Sequence, residues 1–568
     1  MTKGTRNVLW IMCDQMRHDY LGCAGHPHIK TPALDSLARD GVRFDSAFAQ
    51  STICGASRMS AYTGRYVRNH GASGNEVPLR VGETTLGDHL ASIGADAVLV
   101  GKTHVRADEP GLARLGVAGA SDIGIRLREA GFLPFERHDG LHPDGDYDPD
   151  PTYNDYLRAK GFDADNPWEA YANGAIDENG AFVSGWFMEN AHRPARVPKE
   201  HSETAWITDR AIDFIAERAS GDRPWCLHLS YIKPHWPYLA PDPYHAMYDA
   251  SQVAAANRSE DERANPHPLY AAFMQERYST AFSRDEVRDR VVPAYMGLIS
   301  EVDDNLGRLF AFLRERELWD DTLIVFTSDH GDYLGDHWLG EKYLFHDPSV
   351  RIPMIVRDPR PAAAATRGSV SSDLVEMIDL LPTFLDFIAG HPVSQERLHQ
   401  LDGRSLLPLL EGRQPDGWRS HVFSEYDYAY DGARLRVGTP VDDSSATMLF
   451  DGRWKYIHVP DHPPMLFDLQ NDPLERRDLG RDGGYEDILA GMHKQMFDWC
   501  RKQSNRTTVA REAIATAAEA SAAYDAVIEA NILIGYWHRG DLAEEQAKRA
   551  DFVARHPSRT HGAQGQTT

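Results

Sequence analysis

The stretch NVLWIMCD, residues 7–14, is a nearly continuous apolar run that ends in a carboxylate. Such a run is typical of a parallel strand that is covered on both faces, so we expect a buried strand over residues 7–13. Comparable runs follow further along the chain, at residues 97–100, 225–231, 322–327 and 354–357. These five runs predict the core of a sheet.

Helical patterns separate these runs. Thr31 and Pro32 are a typical N-cap and first-turn pair, and further helices are expected over residues 84–93, 203–219 and 284–316. The third of these carries apolar residues at helical spacing over most of its length. Alternating strands and helices indicate an α/β fold, with a large, mostly parallel sheet sandwiched by helices.

The alternation of predicted strands and helices ends near residue 416. Short strand-like pieces then follow without helices between them, at residues 421–425, 447–450, 454–458 and 466–469. We therefore expect a main α/β domain over residues 1–415, a smaller C-terminal α+β subdomain with an antiparallel sheet over residues 416–500, and a helical extension over residues 501–568. The last ten residues have a disordered-type composition.

The composition restricts the partners. The chain has 568 residues, with 60 Lys and Arg against 85 Asp and Glu, which gives a formal net charge of −25. Such a chain repels nucleic acids and anionic membranes at long range, so we expect neither as a partner. An anionic small molecule would need a local cluster of cations or a metal ion.

The cysteines and the N-terminal sequence bear on the cellular compartment in which the protein is expected. The five cysteines are too sparse for a disulfide framework. The apolar run at residues 8–12 is too short for a signal peptide, and no stretch reaches transmembrane length. We therefore expect a soluble, cytoplasmic protein.

Residues 110–200 are rich in Asp, Gly, Pro and Asn. Such a stretch is typical of a long excursion over the surface. The composition leaves open whether it forms a lid, a wall of a substrate pocket, or decoration without a role. Trp236 and Tyr238 are similarly open, since they could face a substrate or pack in the core.

Polar side chains follow four of the predicted strands, where ligands bind in sheets of this kind. These side chains are Asp14, Lys102, His104, His235, Asp329 and His330. Two carboxylates and an imidazole, from Asp14, Asp329 and His330, suit one divalent cation. The alternative is that Asp329 and His330 only cap the turn that follows their strand.

Cys54 lies just before a helix expected over residues 57–63. Free N–H groups at a helix N-terminus attract anions and lower the pKa of a thiol. The alternative is a small buried core cysteine, which is how we interpret Cys13, Cys23, Cys226 and Cys500.

Four motifs carry a family resemblance. CGASR at residues 54–58 resembles the sulfatase signature C-x-P/A-x-R, and TGR at 63–65 extends it. GKTH at 101–104 resembles G-K-x-H, DHGD at 329–332 resembles the metal-binding S-D-H-G, and LFDLQNDP at 466–473 resembles the C-terminal signature. In this order, over residues 7–500, they resemble the sulfatase family of the alkaline phosphatase superfamily. The nearest group is that of bacterial arylsulfatases, phosphonate monoester hydrolases and choline-sulfatases.

The resemblance implies a mechanism. In this family a formylglycine-generating enzyme oxidises the motif cysteine, here Cys54, to formylglycine. One hydroxyl of the hydrated aldehyde, bound to a divalent metal, attacks the sulfur and expels the alcohol. The resulting covalent hemiester collapses when the second hydroxyl loses its proton, whereas a serine ester would need water to attack it.

Residue roles follow by position in the motifs. The implied metal ligands are Asp14, Asp329, His330 and the modified Cys54. Arg58 is expected to hold the formylglycine, Lys102 and His104 to orient it, and His104 to act as the base. The remaining implied residues contact the transferred group or the leaving oxygen, and these are Asn75, His235 and Lys342.

Two departures from the family pattern bear on specificity. Many sulfatases have two consecutive Asp residues in the first motif, where this chain has Cys13 and Asp14. With the imidazole of His330, this makes Mn²⁺ as suitable as Ca²⁺. Ala56 stands where proline is commoner. Lys102 and His104 retain the Lys and His of the sulfatase G-K-x-H motif, which phosphonate monoester hydrolases lack. Their presence favours a sulfate monoester as the main substrate, with phosphonate and phosphate esters as side activities.

Three alternatives remain. A phosphonate monoester hydrolase or phosphodiesterase could use the same site, and a two-zinc phosphatase would need a second ligand set, for which His337 is the spare residue. A catalytically dead binding protein is the third.

Apolar residues in the tail could build a homodimer or homotetramer, or pack on their own subunit. These residues are Ile532, Leu533, Ile534, Tyr536 and Trp537.

Overall fold

The computed structural model describes residues 6–140, 151–218, 221, 223–502, 504–516 and 539–555. The chain divides into two compact units. The first comprises Met1–Gln395 and Leu401–Lys502, and the second comprises Glu396–Gln400 and Gln503–Thr568. Every site residue predicted from the sequence belongs to the first unit.

The strands are numbered along the chain. From β1 to β16 they are Asn7–Asp14, Val42–Phe44, Ala47–Phe48, Asp96–Gly101, Leu133–Arg137, Gly174–Ile176, Phe182–Ser184, Trp225–Pro234, Thr322–Ser328, Met354–Arg357, Ser369–Ser371, Val375–Glu376, Val422–Asp427, Ser445–Phe450, Trp454–His458 and Met465–Asp468.

The α-helices with defined bounds are numbered in the same way. From α1 to α19 they are Pro32–Asp40, Cys54–Thr63, Val67–His70, Leu86–Ser92, Glu109–Arg114, Asp122–Arg128, Thr152–Ala159, Glu203–Arg218, Glu260–Ala264, Pro268–Met274, Arg277–Phe282, Asp285–Glu315, Asp347–Val350, Leu380–Ala389, Val393–Glu396, Leu407–Leu410, Gly432–Val437, Glu486–Arg501 and Arg539–Arg555.

The large sheet has eight strands in the order β11-β2-β10-β9-β1-β8-β4-β5. β1 is central and pairs in parallel with both β8 and β9. Alternate residues of β1 enter different cores: Leu9 packs on the side of α8 and α12, whereas Trp10 packs on the side of α14. The predicted mostly parallel sheet between two helical layers is therefore confirmed.

Two parts of this sheet were not predicted. β10 runs antiparallel to β9 and to β2, a direction that the sequence pattern did not specify. β5 lies within the expected surface excursion but pairs in parallel with β4 at the edge of the sheet. Its residues are only partly buried, so they lack the continuous apolar run that marks the central strands.

Helix α1 begins at Pro32 as expected, but its cap comes from elsewhere. The side chain of Thr31 makes no capping hydrogen bond. Instead, the backbone N–H groups of Ala33 and Leu34 donate to the two carboxylate oxygens of Asp303 on α12, at 3.0 and 2.8 Å. A distant carboxylate thus satisfies the helix N-terminus.

The smaller sheet is antiparallel, in the order β13-β14-β15-β16, as predicted. Lys455 on β15 is completely buried and connects this sheet to α13. Its ammonium lies 2.6 Å from Asp347 Oδ1 and 2.5 Å from Glu475 Oε1, and it donates to the carbonyl of Phe345. The buried ammonium therefore balances Glu475 and, together with Arg351, the partly exposed Asp347.

Other expectations concern the tail, the cysteines and membranes. All five cysteines are free. The helical tendency of the extension appears in α19, while the five apolar tail residues at 532–537 and the last ten residues lie outside the described residues. Among the described residues, no helix is both long and apolar enough to span a membrane.

We predict that Lys455→Ala destabilises the first unit strongly, because it leaves the buried carboxylate of Glu475 without a counter-charge and leaves Asp347 with Arg351 alone. Breaking a buried pair in this way costs about 3–5 kcal/mol. Urea-induced unfolding measures the change. The matched control is Lys494→Ala, which removes a 75% exposed lysine paired with Asp498 and should leave the transition almost unchanged. Equal midpoints for the two variants would contradict the prediction.

Candidate active site

The register of the central strands brings two acidic residues together. Cys13 on β1 pairs with Ser328 on β9, so Asp14 and Asp329 leave the sheet side by side at its carboxyl edge. Both side chains are fully buried. The parallel pairing therefore creates a pair of carboxylates from residues that are 315 positions apart in sequence.

A candidate metal site forms around this pair. One ligand atom from each of Asp14, Cys54, Asp329 and His330 lies within 4.8 Å of the others. His330 Nδ1 is 2.9 Å from the carbonyl of Gly331, which orients the ring, and its Nε2 is 3.2 Å from Cys54 Sγ. Two carboxylates, an imidazole nitrogen and one further side chain are a suitable donor set for a divalent cation.

Arg58 holds the two carboxylates in place. Its guanidinium is fully buried and donates from Nε to Asp329 Oδ2 at 2.9 Å and from Nη2 to Asp14 Oδ2 at 3.4 Å. Nη1 donates to Ser230 Oγ and to the carbonyl of Lys102. Arg58 lies on α2, so this one side chain fixes the helix against the ends of β1, β8 and β9.

Cys54 occupies the first position of α2, as the sequence predicted. The next N–H of the helix, from Gly55, donates to Asn75 Oδ1 at 2.8 Å. The ammonium of Lys342 is 2.9 Å from Cys54 Sγ. Asn75 and Lys342 thus both lie at the helix N-terminus beside the sulfur.

The pKa of this thiol differs from expectation. Burial and the neighbouring carboxylate of Asp14 raise the pKa of Cys54 to about 11, although Lys342 and Lys102 act in the opposite direction. In the absence of a bound cation, desolvation and the carboxylate outweigh the two ammonium groups, so the pKa is raised where the helix N-terminus led us to expect a lowered one. The unmodified thiol is protonated at neutral pH.

Lys102 balances the carboxylate of Asp14. Its Nζ lies 2.6 Å from Asp14 Oδ2. Burial alone would raise the pKa of Asp14, but the charges of Lys102 and Arg58 hold it well below its usual value. Burial likewise opposes the charge of Lys102, yet Asp14 raises its pKa. Two positively charged side chains, Lys102 and Arg58, therefore lie beside Asp14 in a protein with a net negative charge.

His104 adopts a left-handed backbone conformation, with φ of 55°. The carboxylate of Asp139 accepts hydrogen bonds from the backbone N–H groups of Thr103 and His104, at 2.9 and 2.8 Å. Burial and the charge of Lys102 hold the pKa of His104 well below its usual value, so the imidazole is neutral. A neutral imidazole can accept a proton.

His235 follows β8 and is also neutral, since burial and the charges of Lys342 and Lys102 hold its pKa well below the usual value despite Asp14. Its Nδ1 lies 2.7 Å from the carbonyl of Trp236. This contact assigns the proton to Nδ1 and leaves the lone pair on Nε2.

Several neighbours of the site were missed by the sequence analysis. They are Gln15, Asp139, Ser230 and Asp332. The position of Gln15, directly after Asp14 at the end of β1, was a usable signal. Asp332 ends the DHGD motif, which was a second signal. No local pattern marks Asp139 or Ser230, because their partners come from distant parts of the chain.

His337, the spare ligand of a two-metal site, is committed to other contacts. Its Nδ1 lies 2.6 Å from Glu262 Oε1, and its ring stacks on His346 at 3.7 Å. Within the described ranges, the four-residue group around Cys54 is the one set that could hold a metal ion. This arrangement argues against a two-zinc phosphatase.

Two models of known protein families match the chain. The family model described as Sulfatase matches residues 6–391, and the model described as N-sulphoglucosamine sulphohydrolase, C-terminal, matches residues 335–502.

Individual relatives extend over most of the chain. The multifunctional alkaline phosphatase superfamily protein PehA of Trinickia caryophylli is 34% identical over 536 residues, which are 88% of this chain and 96% of that protein. An arylsulfatase of Clostridium perfringens is 27% identical, over 87% of this chain and 93% of that protein. The structure of a phosphonate monoester hydrolase from Silicibacter pomeroyi matches with a TM-score of 0.76 and 29% identity, over 89% of this chain and 98% of that one.

We predict that Ca²⁺ or Mn²⁺, added to chelator-treated protein, raises the thermal unfolding midpoint, because a ligand that binds only the native state stabilises it by mass action. The metal-dependent rise should disappear in Asp329→Asn, which removes one carboxylate from the group of four. His337→Gln is the control and should retain the rise. A similar rise in Asp329→Asn, or its loss in His337→Gln, would place the cation elsewhere.

Proposed function

Because the chain belongs to the sulfatase family, whose members similar to it include an arylsulfatase, we propose that it hydrolyses sulfate monoesters of aryl or alkyl alcohols. The family identifies the chain as a sulfuric ester hydrolase. We propose further that Cys54 is converted to formylglycine by a formylglycine-generating enzyme, and that the modified side chain is the nucleophile.

One observation carries this proposal. Cys54 Sγ lies among three potential metal ligands, at 3.2 Å from His330 Nε2 and 3.7 Å from Asp14 Oδ1, with the ammonium of Lys342 at 2.9 Å on another side. A buried atom placed between ligands and a cation is where an anionic ester would react. Without a bound cation the same environment raises the pKa of the thiol.

Two groups complete the site. A bound divalent cation, Ca²⁺ or Mn²⁺, would neutralise the ester and lower the pKa of the attacking hydroxyl, with Asp14, Asp329, His330 and the modified Cys54 as ligands. Formylglycine would supply a hydrated aldehyde whose hydroxyl is that nucleophile. Arg58 supports both by holding the two carboxylates apart and oriented.

The remaining residues act on the substrate and on protons. Lys342 neutralises the sulfonyl oxygens and the charge that develops on the leaving oxygen. We propose that His235 and Asn75 also contact the transferred group, with Asn75 held at the N-terminus of α2 by the N–H of Gly55. Lys102 holds Asp14, while the neutral imidazole of His104 is the base that completes the reaction.

A phosphonate monoester hydrolase is the second candidate function, and a specific observation favours it. The relatives with the highest similarity reported above include a phosphonate monoester hydrolase structure and a protein described as multifunctional. Lys102 and His104 favour sulfate as the main substrate. We therefore propose that the same site hydrolyses phosphonate monoesters and phosphate esters as side activities. As the assembly we propose a homodimer or homotetramer.

Turnover of paired substrates tests the proposal. Protein produced together with a formylglycine-generating enzyme is expected to hydrolyse an aryl sulfate with a higher kcat/KM than the matching aryl phosphonate monoester. The reverse order would favour the second candidate, and no turnover of either ester by fully modified protein would favour a binding protein without activity.

Cys54→Ser is the matched control for this measurement. A serine ester cannot collapse without an attacking water, so this variant should release at most about one alcohol per protein in the first turnover and then stop. Sustained turnover by Cys54→Ser would reveal either a contaminating hydrolase or a mechanism that does not use formylglycine.

A further inference from the structure

A line of buried hydrogen bonds runs behind the site from Asp332 through Gln15 to Lys342. We propose that Asp332 is a positioning residue, which fixes the amide of Gln15 and thereby holds the ammonium of Lys342 beside Cys54. The proposal rests on the function given above, in which Lys342 stabilises the leaving oxygen.

Asp332 is completely buried and is surrounded by donors. Its Oδ2 accepts from Gln15 Nε2 at 2.6 Å and from the hydroxyl of Tyr238 at 2.7 Å. Its Oδ1 accepts from the backbone N–H of Leu334 at 2.9 Å. A carboxylate accepts from all three donors at once through its two oxygens, whereas an amide has only one accepting atom.

Gln15 has little freedom apart from the orientation of its amide. Its backbone N–H donates to Asp329 Oδ1 at 3.0 Å, and its carbonyl accepts from the hydroxyl of Tyr295 at 2.8 Å. The carboxylate of Asp332 then decides which end of the amide faces it. Because Nε2 turns towards Asp332, Oε1 faces the ammonium of Lys342.

The reverse orientation is unfavourable at both ends. It would direct the carbonyl oxygen of Gln15 at the carboxylate of Asp332 and its NH₂ group at an ammonium. In a buried site, such contacts between like polarities cost more than in water. The observed orientation is therefore selected by Asp332 on one side and Lys342 on the other.

Lys342 needs such a partner. Its Nζ lies 3.1 Å from Gln15 Oε1 and 2.9 Å from Cys54 Sγ. A lysine side chain has a flexible four-carbon stem, so an oxygen at a fixed position is required to hold its charge in one place. The backbone on either side is held in the left-handed region, with φ of 58° at Glu341 and 91° at Tyr343.

Asp336 provides a matched control in the same loop. It is also buried and acidic, but its Oδ2 contacts Arg17 at 2.8 Å and its Oδ1 accepts from the backbone of Asn257. Through Arg17 it is linked to the backbone carbonyl of Asp332, but not to the side chains of Gln15 and Lys342. Loss of Asp336 therefore reports what a buried carboxylate in this loop contributes to folding alone.

The experiment compares Asp332→Asn with Asp336→Asn on aryl sulfates whose leaving groups differ in pKa. With Asn at position 332, the Gln15 amide turns and its NH₂ repels Lys342. We expect kcat/KM to fall by about 10- to 100-fold. The fall should be largest for the poorest leaving groups, because these place the most charge on the leaving oxygen. Asp336→Asn should affect all esters equally.

Lys342→Ala should show the same dependence on the leaving group, and Asp332→Asn/Lys342→Ala should lose little more than Lys342→Ala alone. A uniform loss across the esters, or fully additive losses, would overturn the proposal. If Asp332→Asn does not fold, Gln15→Met breaks the same line while Asp332 keeps Tyr238 and Leu334, and the same dependence is expected from it.

A second readout does not need turnover. Lys342 should react faster with an amine-acylating reagent in Asp332→Asn than in Asp336→Asn or the wild type, because its ammonium is no longer held by Gln15 Oε1. Peptide mass spectrometry measures the extent of labelling. Equal labelling rates would overturn the positioning role even if no sulfate ester is hydrolysed. Absence of wild-type turnover with unequal labelling would reject only the proposed function.

Discussion

The site depends on a single buried guanidinium. Arg58 bridges Asp14 and Asp329, which would otherwise repel each other at the ends of β1 and β9. Removing one partner of a buried ionic group leaves an uncompensated charge, so loss of this clamp of Arg58 on the two carboxylates would be strongly destabilising. Because Arg58 projects from α2, the same contact sets the distance between the carboxylates and Cys54. The sheet, the helix N-terminus and the ligand group are therefore one arrangement.

The clamp also explains how an acidic chain can accept an anion. The net charge of −25 is spread over the whole chain, whereas Arg58, Lys102 and Lys342 lie together at the ligand group. A low-dielectric interior strengthens their local field. The same burial keeps the thiol of Cys54 protonated in the absence of a bound cation, since its pKa rises to about 11. This local cluster of cations suits an anionic ester.

Much of the site could be predicted, because parallel strands deliver their carboxyl ends to one edge. Short motifs there marked Asp14, Cys54 and Asp329 without knowledge of pairing. Features that depend on distant partners could not be predicted. The Asp303 cap on α1, the antiparallel β10 and the edge strand β5 are examples, because each is decided by tertiary contacts rather than local pattern. The link from Gln15 to Asp332 spans 317 positions and has no local signature.

The chemical state of Cys54 tests the central claim most directly. Trypsin releases it in the peptide of residues 44–58, whose mass can be measured in active protein from the native host. The account predicts a peptide lighter than the encoded one by the exchange of hydrogen sulfide for one oxygen, which is the difference between cysteine and formylglycine. An unmodified cysteine in protein that turns over sulfate esters would contradict it.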